Sequence, residues 1–327
     1  MLNCLLVIQQ ASDPMSEPDR TGRWAIALLL SVVVWGLAAT TYWPSRLTPA
    51  SVPVSSPQDP MTLGASAFNR GDYADALAAF AIAAHQAPDA HQQARAHHNR
   101  CLTWLALADW AAAIGDCTTA LELNPQLSDA YLNRGLAYRG QQNRAAATQD
   151  FEAVLHQHPL DGRAWYNHGL VMAEQQQGHE AIKDFNRAIL QFGHESLDRL
   201  AQVYYDRAIT WLDQGDRPQA LADLDRSLRY GPQQANGFHL RGLVLQALGR
   251  STEAIGNFDR AIALAPMNGL SYMARSQLHQ QMHCHQAAIH DLECAVRCFY
   301  DCGDWGAFQT ALTALHQLQQ SSSVAIG

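Results

Sequence analysis

The stretch "YLNRGLAYRGQQNRAAATQDFEAVLHQHP", residues 131–159, decides the fold of this chain. In its first part, Tyr131, Gly135 and Tyr138 follow the spacing of one helix face, and its second part repeats such a stripe. Pro159 ends the second stripe, because proline cannot continue a helix. The pattern therefore predicts two helices joined by a short turn.

This pattern returns with a period of 34 residues. For example, "DWAAAIGDCTTALELNP" (109–125) and "RSTEAIGNFDRAIALAP" (250–266) both place Ala fifth and Pro last. Short insertions at 91–93 and 196–200 interrupt the period. Seven units fit: 57–90, 94–127, 128–161, 162–195, 201–234, 235–268 and 269–302.

The recurring aromatic, small, Tyr, Ala, Phe and Pro positions resemble the tetratricopeptide repeat (TPR) family, over about three quarters of the chain. The resemblance implies an all-α fold: a right-handed α-solenoid of about seven helix-turn-helix units, with the first helices lining a concave surface. Beyond the last unit, apolar residues at helical spacing predict a capping helix over 303–320, followed by a loose tail, 321–327.

A charge recurs within the small-residue stripe of the first helices. Most units carry Arg at the seventh place and Asp sixteen residues later, at equal distances from the turn. Because a buried charge is costly unless it is paired, we expect the Arg to bind this Asp or the Asp of the preceding unit. The predicted pairs are Arg100 with Asp116, Arg134 with Asp150, Arg207 with Asp223, and Arg275 with Asp291. The first unit has Leu63 and Ala79 at these places, so both charges are lost together.

The second, fifth, sixth and ninth places of the first helices share one side of the predicted solenoid. An amide row lies there beside an apolar row, which suits an extended peptide. Alternatively, Asn at the sixth place merely suits the fold. The predicted partner-binding groove consists of Arg95, Asn99, Leu102, Asn133, Leu136, Arg163, Tyr166, Asn167, Leu170, Tyr205 and Asp206. Its two arginines favour a partner with some acidic character.

Residues 24–43 contain no charge, and twenty such residues can cross a hydrocarbon core of about 30 Å as a helix. We predict a transmembrane helix there, after a short head (1–23); a cleaved signal peptide is the competing interpretation. Met15 is an alternative start. Residues 44–60 carry five prolines, which indicates a linker.

The charges beside the predicted span bear on its orientation. Arg20 and Arg23 precede the span, and only Arg46 follows it closely. This bias favours an exported repeat domain, in a periplasm or lumen, over a cytoplasmic one.

Two groups of cysteines and histidines need interpretation. Cys101 and Cys117, in one unit, are either core thiols or, in an exported domain, a disulfide. In the last repeat, His and Cys recur in steps of four, but the series spans roughly 18 Å of helix, too long for one metal ion. Only an adjacent pair with a histidine from the facing helix could close a site. The candidates are His279, His283, His290 and Cys294.

Composition excludes several classes of function. The net charge is −8, Lys183 is the only lysine, and no basic stripe indicates nucleic-acid binding. There is no Gly-rich phosphate loop, GxSxG or HExxH motif, so we expect neither an enzyme nor a cofactor. The leading hypothesis is a membrane-anchored scaffold that binds a protein or peptide in its groove, for assembly of a membrane or envelope complex. The alternative is a metal-binding or redox protein that uses the His and Cys residues of the last repeat.

Overall fold

The computed structural model describes residues 59–193 and 196–324, with side chains up to 320. The regular structure of these residues is entirely helical, and they form two compact units, the first of which ends at Gly193. The helices of the first unit are α1 (Pro60–Arg70), α2 (Tyr73–Gln86), α3 (Ala90–Ala106), α4 (Trp110–Leu123), α5 (Ser128–Gly140), α6 (Arg144–Gln157), α7 (Gly162–Glu174) and α8 (Gly178–Phe192). Those of the second unit are α9 (Leu197–Asp213), α10 (Arg217–Tyr230), α11 (Ala235–Ala247), α12 (Ser251–Leu264), α13 (Gly269–Gln281), α14 (His285–Cys302) and α15 (Trp305–Val324).

The predicted head, membrane span and nearly all of the linker lie outside the described residues. Within 59–193 and 196–324, no helix has both the length and the apolar character that crossing a membrane requires.

Each hairpin turn contains one residue in the left-handed backbone region, always at the fifteenth place of the predicted unit. Gly71, Gly215 and Gly249 have φ of 83°, 81° and 76°. Residues with side chains occupy the same place in the other repeats: Ala108 (56°), Gln142 (62°), Gln176 (61°) and His283 (58°). The reversal of the chain is therefore a property of the repeat, and these four residues adopt a conformation that glycine takes more readily.

The two helices of a repeat approach closely where a glycine faces a phenylalanine. A Cβ added to Gly135 would lie 2.6 Å from the Phe151 ring, and one on Gly242 would lie 2.6 Å from the Phe258 ring. Both rings are fully buried. The two helices can therefore lie this close only because glycine has no side chain at these positions.

The two insertions lengthen first helices. Helices α3 and α9 have 17 residues, whereas α5, α7, α11 and α13 have 13. Residues 91–93 and 197–200 lie in the first turns of α3 and α9, so the repeat hairpins that follow keep their pattern.

Helix α15 covers α14. Leu315 and Leu318 pack against Ala288 and Leu292, and Ala311 packs near Phe299. The helix continues to Val324, four residues into the segment predicted as a loose tail. On its other face Gln309, Thr313 and His316 are exposed and polar, whereas Trp305 at its first turn is exposed and apolar.

Candidate partner-binding surface

A buried carboxylate lies between the two helices of most repeats. Arg134 donates from Nε to Asp150 Oδ2 (2.9 Å) and from Nη2 to Oδ1 (2.8 Å). The structure also brings together the other predicted pairs: Arg100 Nε donates to Asp116 Oδ2 (2.7 Å), Arg207 Nε to Asp223 Oδ2 (2.7 Å) and Arg275 Nε to Asp291 Oδ2 (3.0 Å). Each Arg thus binds the Asp of its own repeat.

Three seventh-place arginines also reach back to the preceding repeat, but their acceptors there are not the Asp residues that the sequence predicted as alternative partners. Arg134 Nη1 donates to Thr118 Oγ1 (3.2 Å), and Arg275 Nη1 donates to Asp259 Oδ1 (2.5 Å). Arg241 binds Asn257 of its own repeat (3.0 Å) and Asp225 before it (2.6 Å). A polar residue sixteen places before each Arg was the available signal. The guanidinium groups therefore join adjacent repeats and are already occupied.

The pairs differ in electrostatic balance. Burial raises the pKa of Asp150 above its usual value, because the bonds from Arg134 offset only part of the desolvation. Burial also acts to raise the pKa of Asp116, but hydrogen bonds from His97 and Arg100 outweigh it and hold the pKa below its usual value. Trp104 Nε1 adds a further bond to Asp116 (3.0 Å).

The predicted groove residues of the first unit differ in accessibility. Leu102, Asn133 and Asn167 are buried. The remaining six are half-buried: Arg95, Asn99, Leu136, Arg163, Tyr166 and Leu170. Only these six can therefore contact a partner without local rearrangement.

Tyr205 and Asp206 belong to the second unit, and both are buried. The Tyr205 hydroxyl has no hydrogen-bond partner among the described residues, and burial raises its pKa. The sequence predicted that Tyr205 and Asp206 are exposed in the groove, but both are buried.

The sixth-place asparagines hold the fold together. Asn133 Nδ2 donates to His98 Nε2 (2.8 Å) across α5 and α3, and Asn167 Nδ2 donates to the carbonyl of Arg163 (2.9 Å). Burial lowers the pKa of His98 to about 4, so the ring is neutral and its Nε2 can accept. For Asn133 and Asn167, the structure favours the alternative that Asn suits the fold.

The charge of Arg163 is balanced within the protein. Its Nη2 lies 2.8 Å from Asp129 Oδ1 and 2.7 Å from Asp161 Oδ2. Nearby, Arg139 Nε donates to Glu174 Oε1 (2.7 Å) between α5 and α7. An incoming acidic group would have to compete with these carboxylates, so Arg163 does not support the expectation of an acidic partner.

Four of the six half-buried groove residues carry no charge. Leu136 and Leu170 occupy the same place in consecutive repeats, Tyr166 lies beside them with its ring centroid 6.1 Å from that of Phe185, and Asn99 offers an amide on α3. We call Asn99, Leu136, Tyr166 and Leu170 the first-helix strip. It combines apolar contact area with a hydrogen-bonding group.

A profile of the tetratricopeptide repeat family matches residues 132–195 and 205–269. The first match includes most of α5 and all of α6–α8, and the second includes most of α9 and all of α10–α12, so each compact unit contains part of the matched sequence. Residues 132–195 and 205–269 are tetratricopeptide repeats.

Solved TPR structures share the fold. A tetratricopeptide repeat protein from Parabacteroides merdae aligns with a TM-score of 0.58 and 16% identity, covering 77% of this chain and 97% of that one. PilW, a type IV pilus biogenesis factor, aligns with a TM-score of 0.59 and 18% identity, covering 67% and 98%. PilF from Pseudomonas aeruginosa aligns with a TM-score of 0.57 and 18% identity, covering 66% and 96%. No curated protein sequence matches significantly.

Within the TPR hairpin of α3 and α4, Cys101 and Cys117 form a disulfide. Their Cα atoms are 5.4 Å apart, and both residues are 0% exposed. Of the two interpretations that the sequence left open, the structure has the disulfide and not a pair of free core thiols.

The His and Cys residues of the last TPR unit do not form the candidate metal site. His290 Nε2 and Cys294 Sγ are 3.8 Å apart, but His279 Nδ1 lies 3.1 Å from Asp291, and His283 lies in the turn after α13. Among the described residues, no three or more His, Cys, Asp or Glu side chains are placed to hold a metal ion. Spacing by four keeps side chains on one helix face but does not bring a third ligand to them.

Proposed function

We propose that this TPR protein is a non-catalytic, membrane-anchored scaffold that binds a protein or peptide partner through the first-helix strip. The observation that carries the proposal is the accessibility of this strip after the internal polar contacts of the repeats are accounted for. PilW, which has a similar fold, is a type IV pilus biogenesis factor. Assembly of a membrane or envelope complex is therefore the setting in which we propose that the scaffold acts.

The chemistry of the strip favours a partner segment with apolar side chains. Leu136 and Leu170 offer two apolar contacts one repeat apart, and the Asn99 amide can bind a peptide backbone. Arg163 already binds Asp129 and Asp161, and Arg139 binds Glu174, at distances of 2.7–2.8 Å. Binding should therefore depend weakly on salt, because few charges are left to pair with the partner.

We also propose that residues 24–43 anchor the chain and that the repeats lie on the exported side. The Cys101–Cys117 disulfide supports this orientation, because disulfides persist mainly in oxidising compartments. The anchored protein should resist carbonate extraction, and protease should digest the repeats only from the outer face of the membrane. Release of the intact chain by carbonate, or digestion from the cytoplasmic face, would reject the anchor or the orientation respectively.

Crosslinking and capture from native membranes, with the full chain as bait, tests the binding surface. Combined Asn99→Ala, Tyr166→Ala and Leu170→Ala substitutions should abolish capture, since loss of one binding hot spot commonly costs about 2 kcal/mol, roughly 30-fold in affinity. The matched control changes the exposed α6 residues Gln149, Glu152 and His156 to Ala. Circular dichroism should show both variants folded. Capture by the strip variant, or equal loss in the control, would show that the strip is not the binding surface.

A further inference from the structure

The Cys101–Cys117 disulfide occupies a place that other repeats fill differently. Gly135 faces Phe151 at the same two places of the next repeat, and Gly169 faces Phe185 in the one after it. A Cβ on either glycine would lie 2.6 or 3.0 Å from the facing ring. In those repeats, an aromatic ring therefore fills the space between the two helices without a covalent bond.

The α3–α4 hairpin has no ring at these two places, although Trp104 and Trp110 pack against the same core. The two cysteines are packed with Leu105, Ala113 and Leu121, and both are 0% exposed. Two reduced sulfur atoms cannot approach as closely as two bonded ones, so reduction would force side chains apart inside a close-packed core. The hairpin would then lose a covalent link and its packing together.

An ion pair and one residue of the first-helix strip lie close in sequence to the disulfide. Arg100 and Asp116, each adjacent in sequence to one of the cysteines, form the ion pair of this repeat. Asn99 of the first-helix strip lies two residues before Cys101 on α3. Loosening of the hairpin would therefore reach both the ion pair and the strip.

We propose that the Cys101–Cys117 disulfide is a redox-dependent lock on the α3–α4 hairpin, which replaces the glycine–phenylalanine contact of the neighbouring repeats. Both thiols give up their protons and one electron each, and a disulfide-bearing oxidant, protein or small molecule, takes up two electrons and two protons and leaves as two thiols. Because both sulfur atoms are buried, this exchange takes place in the opened hairpin, before its final closure. The lock does not depend on whether a partner binds the first-helix strip.

Hydrogen exchange of the full chain, read by mass spectrometry with and without a phosphine reductant, tests the lock. Reduction should speed amide exchange in α3 and α4 on the order of 100-fold, the factor that closing a ring between residues 16 apart corresponds to. Peptides from α7 and α8 serve as the internal control and should not change. The free cysteines of the described part of the chain, Cys284, Cys294, Cys298 and Cys302, lie in the other unit, so peptide-level readout separates their reactions.

The combined Cys101→Gly and Cys117→Phe variant copies the neighbouring repeats. It should exchange like the oxidised protein and should not respond to reductant. Unchanged exchange of α3 and α4 in the fully reduced parent protein, verified by alkylation of Cys101 and Cys117, would overturn the proposal. A reductant response in α3 and α4 of the folded Gly–Phe variant would overturn it too. If the variant does not fold, the comparison of oxidised and reduced parent protein decides alone.

Discussion

Removal of Asp150 tests how the buried ion pairs contribute to stability. In the Asp150→Ala variant, Arg134, whose side chain is only 18% exposed, loses both bonds of the pair. Leaving one partner of a buried pair without the other typically costs about 3–5 kcal/mol. Thr118 Oγ1 still accepts one bond from Arg134, so we expect a loss near the lower end, about 3 kcal/mol.

The double variant Arg134→Leu, Asp150→Ala gives the repeat the residues of the first unit, Leu63 and Ala79. It loses the Thr118 bond and the contacts of Arg134 with the rings of Tyr131 (5.5 Å) and Tyr138 (5.9 Å), but leaves no unpaired charge. Because the pKa of Asp150 is raised, its desolvation is not fully offset by the pair. We therefore expect the double variant to recover about 2 kcal/mol of the loss.

Native-state hydrogen exchange of α5 and α6 suits this measurement, because repeats can open separately and a single global unfolding energy would mix them. The exposed Gln149→Ala change on the same helix is the control and should shift the free energy of opening by less than about 0.5 kcal/mol. A double variant no more stable than Asp150→Ala would refute the view that the unpaired charge causes the loss.

Three further predictions concern packing, pH and turn geometry. Gly135→Ala should destabilise its hairpin by about 1–3 kcal/mol in urea unfolding, because the added Cβ would lie 2.6 Å from the buried Phe151 ring; an unchanged midpoint would contradict this. Since burial lowers the pKa of His98 to about 4, the unfolded chain binds the extra proton between pH 6.5 and 4, so stability should fall on acidification through that window, by up to about 3 kcal/mol. His98→Gln should flatten the slope of stability against pH; an unchanged slope would exclude His98 as its source. Gln142→Gly, at φ of 62°, should raise the melting temperature, with a gain of about 1 kcal/mol, whereas Gln141→Gly should not.

The order of helices was predictable because it depends on short-range patterns. The 34-residue period and the stripe of Tyr131, Gly135 and Tyr138 indicated the hairpins, and the sixteen-residue spacing placed Arg134 opposite Asp150. Such features follow from helix periodicity and from equal distances to a turn. The sequence by itself therefore determined the resemblance to the repeat family, the all-helical fold and the positions of the buried ion pairs within the repeats.

Contacts between repeats were decided by the tertiary structure. Burial of Asn133 against His98, balance of Arg163 by Asp129, and the bond from Arg134 to Thr118 all depend on how one hairpin packs on the next. The Cys101–Cys117 bond likewise depends on a Cα separation of 5.4 Å that spacing alone does not establish. Period and spacing describe one helix or hairpin at a time, whereas accessibility and the contacts between repeats depend on the space that adjacent hairpins leave between them.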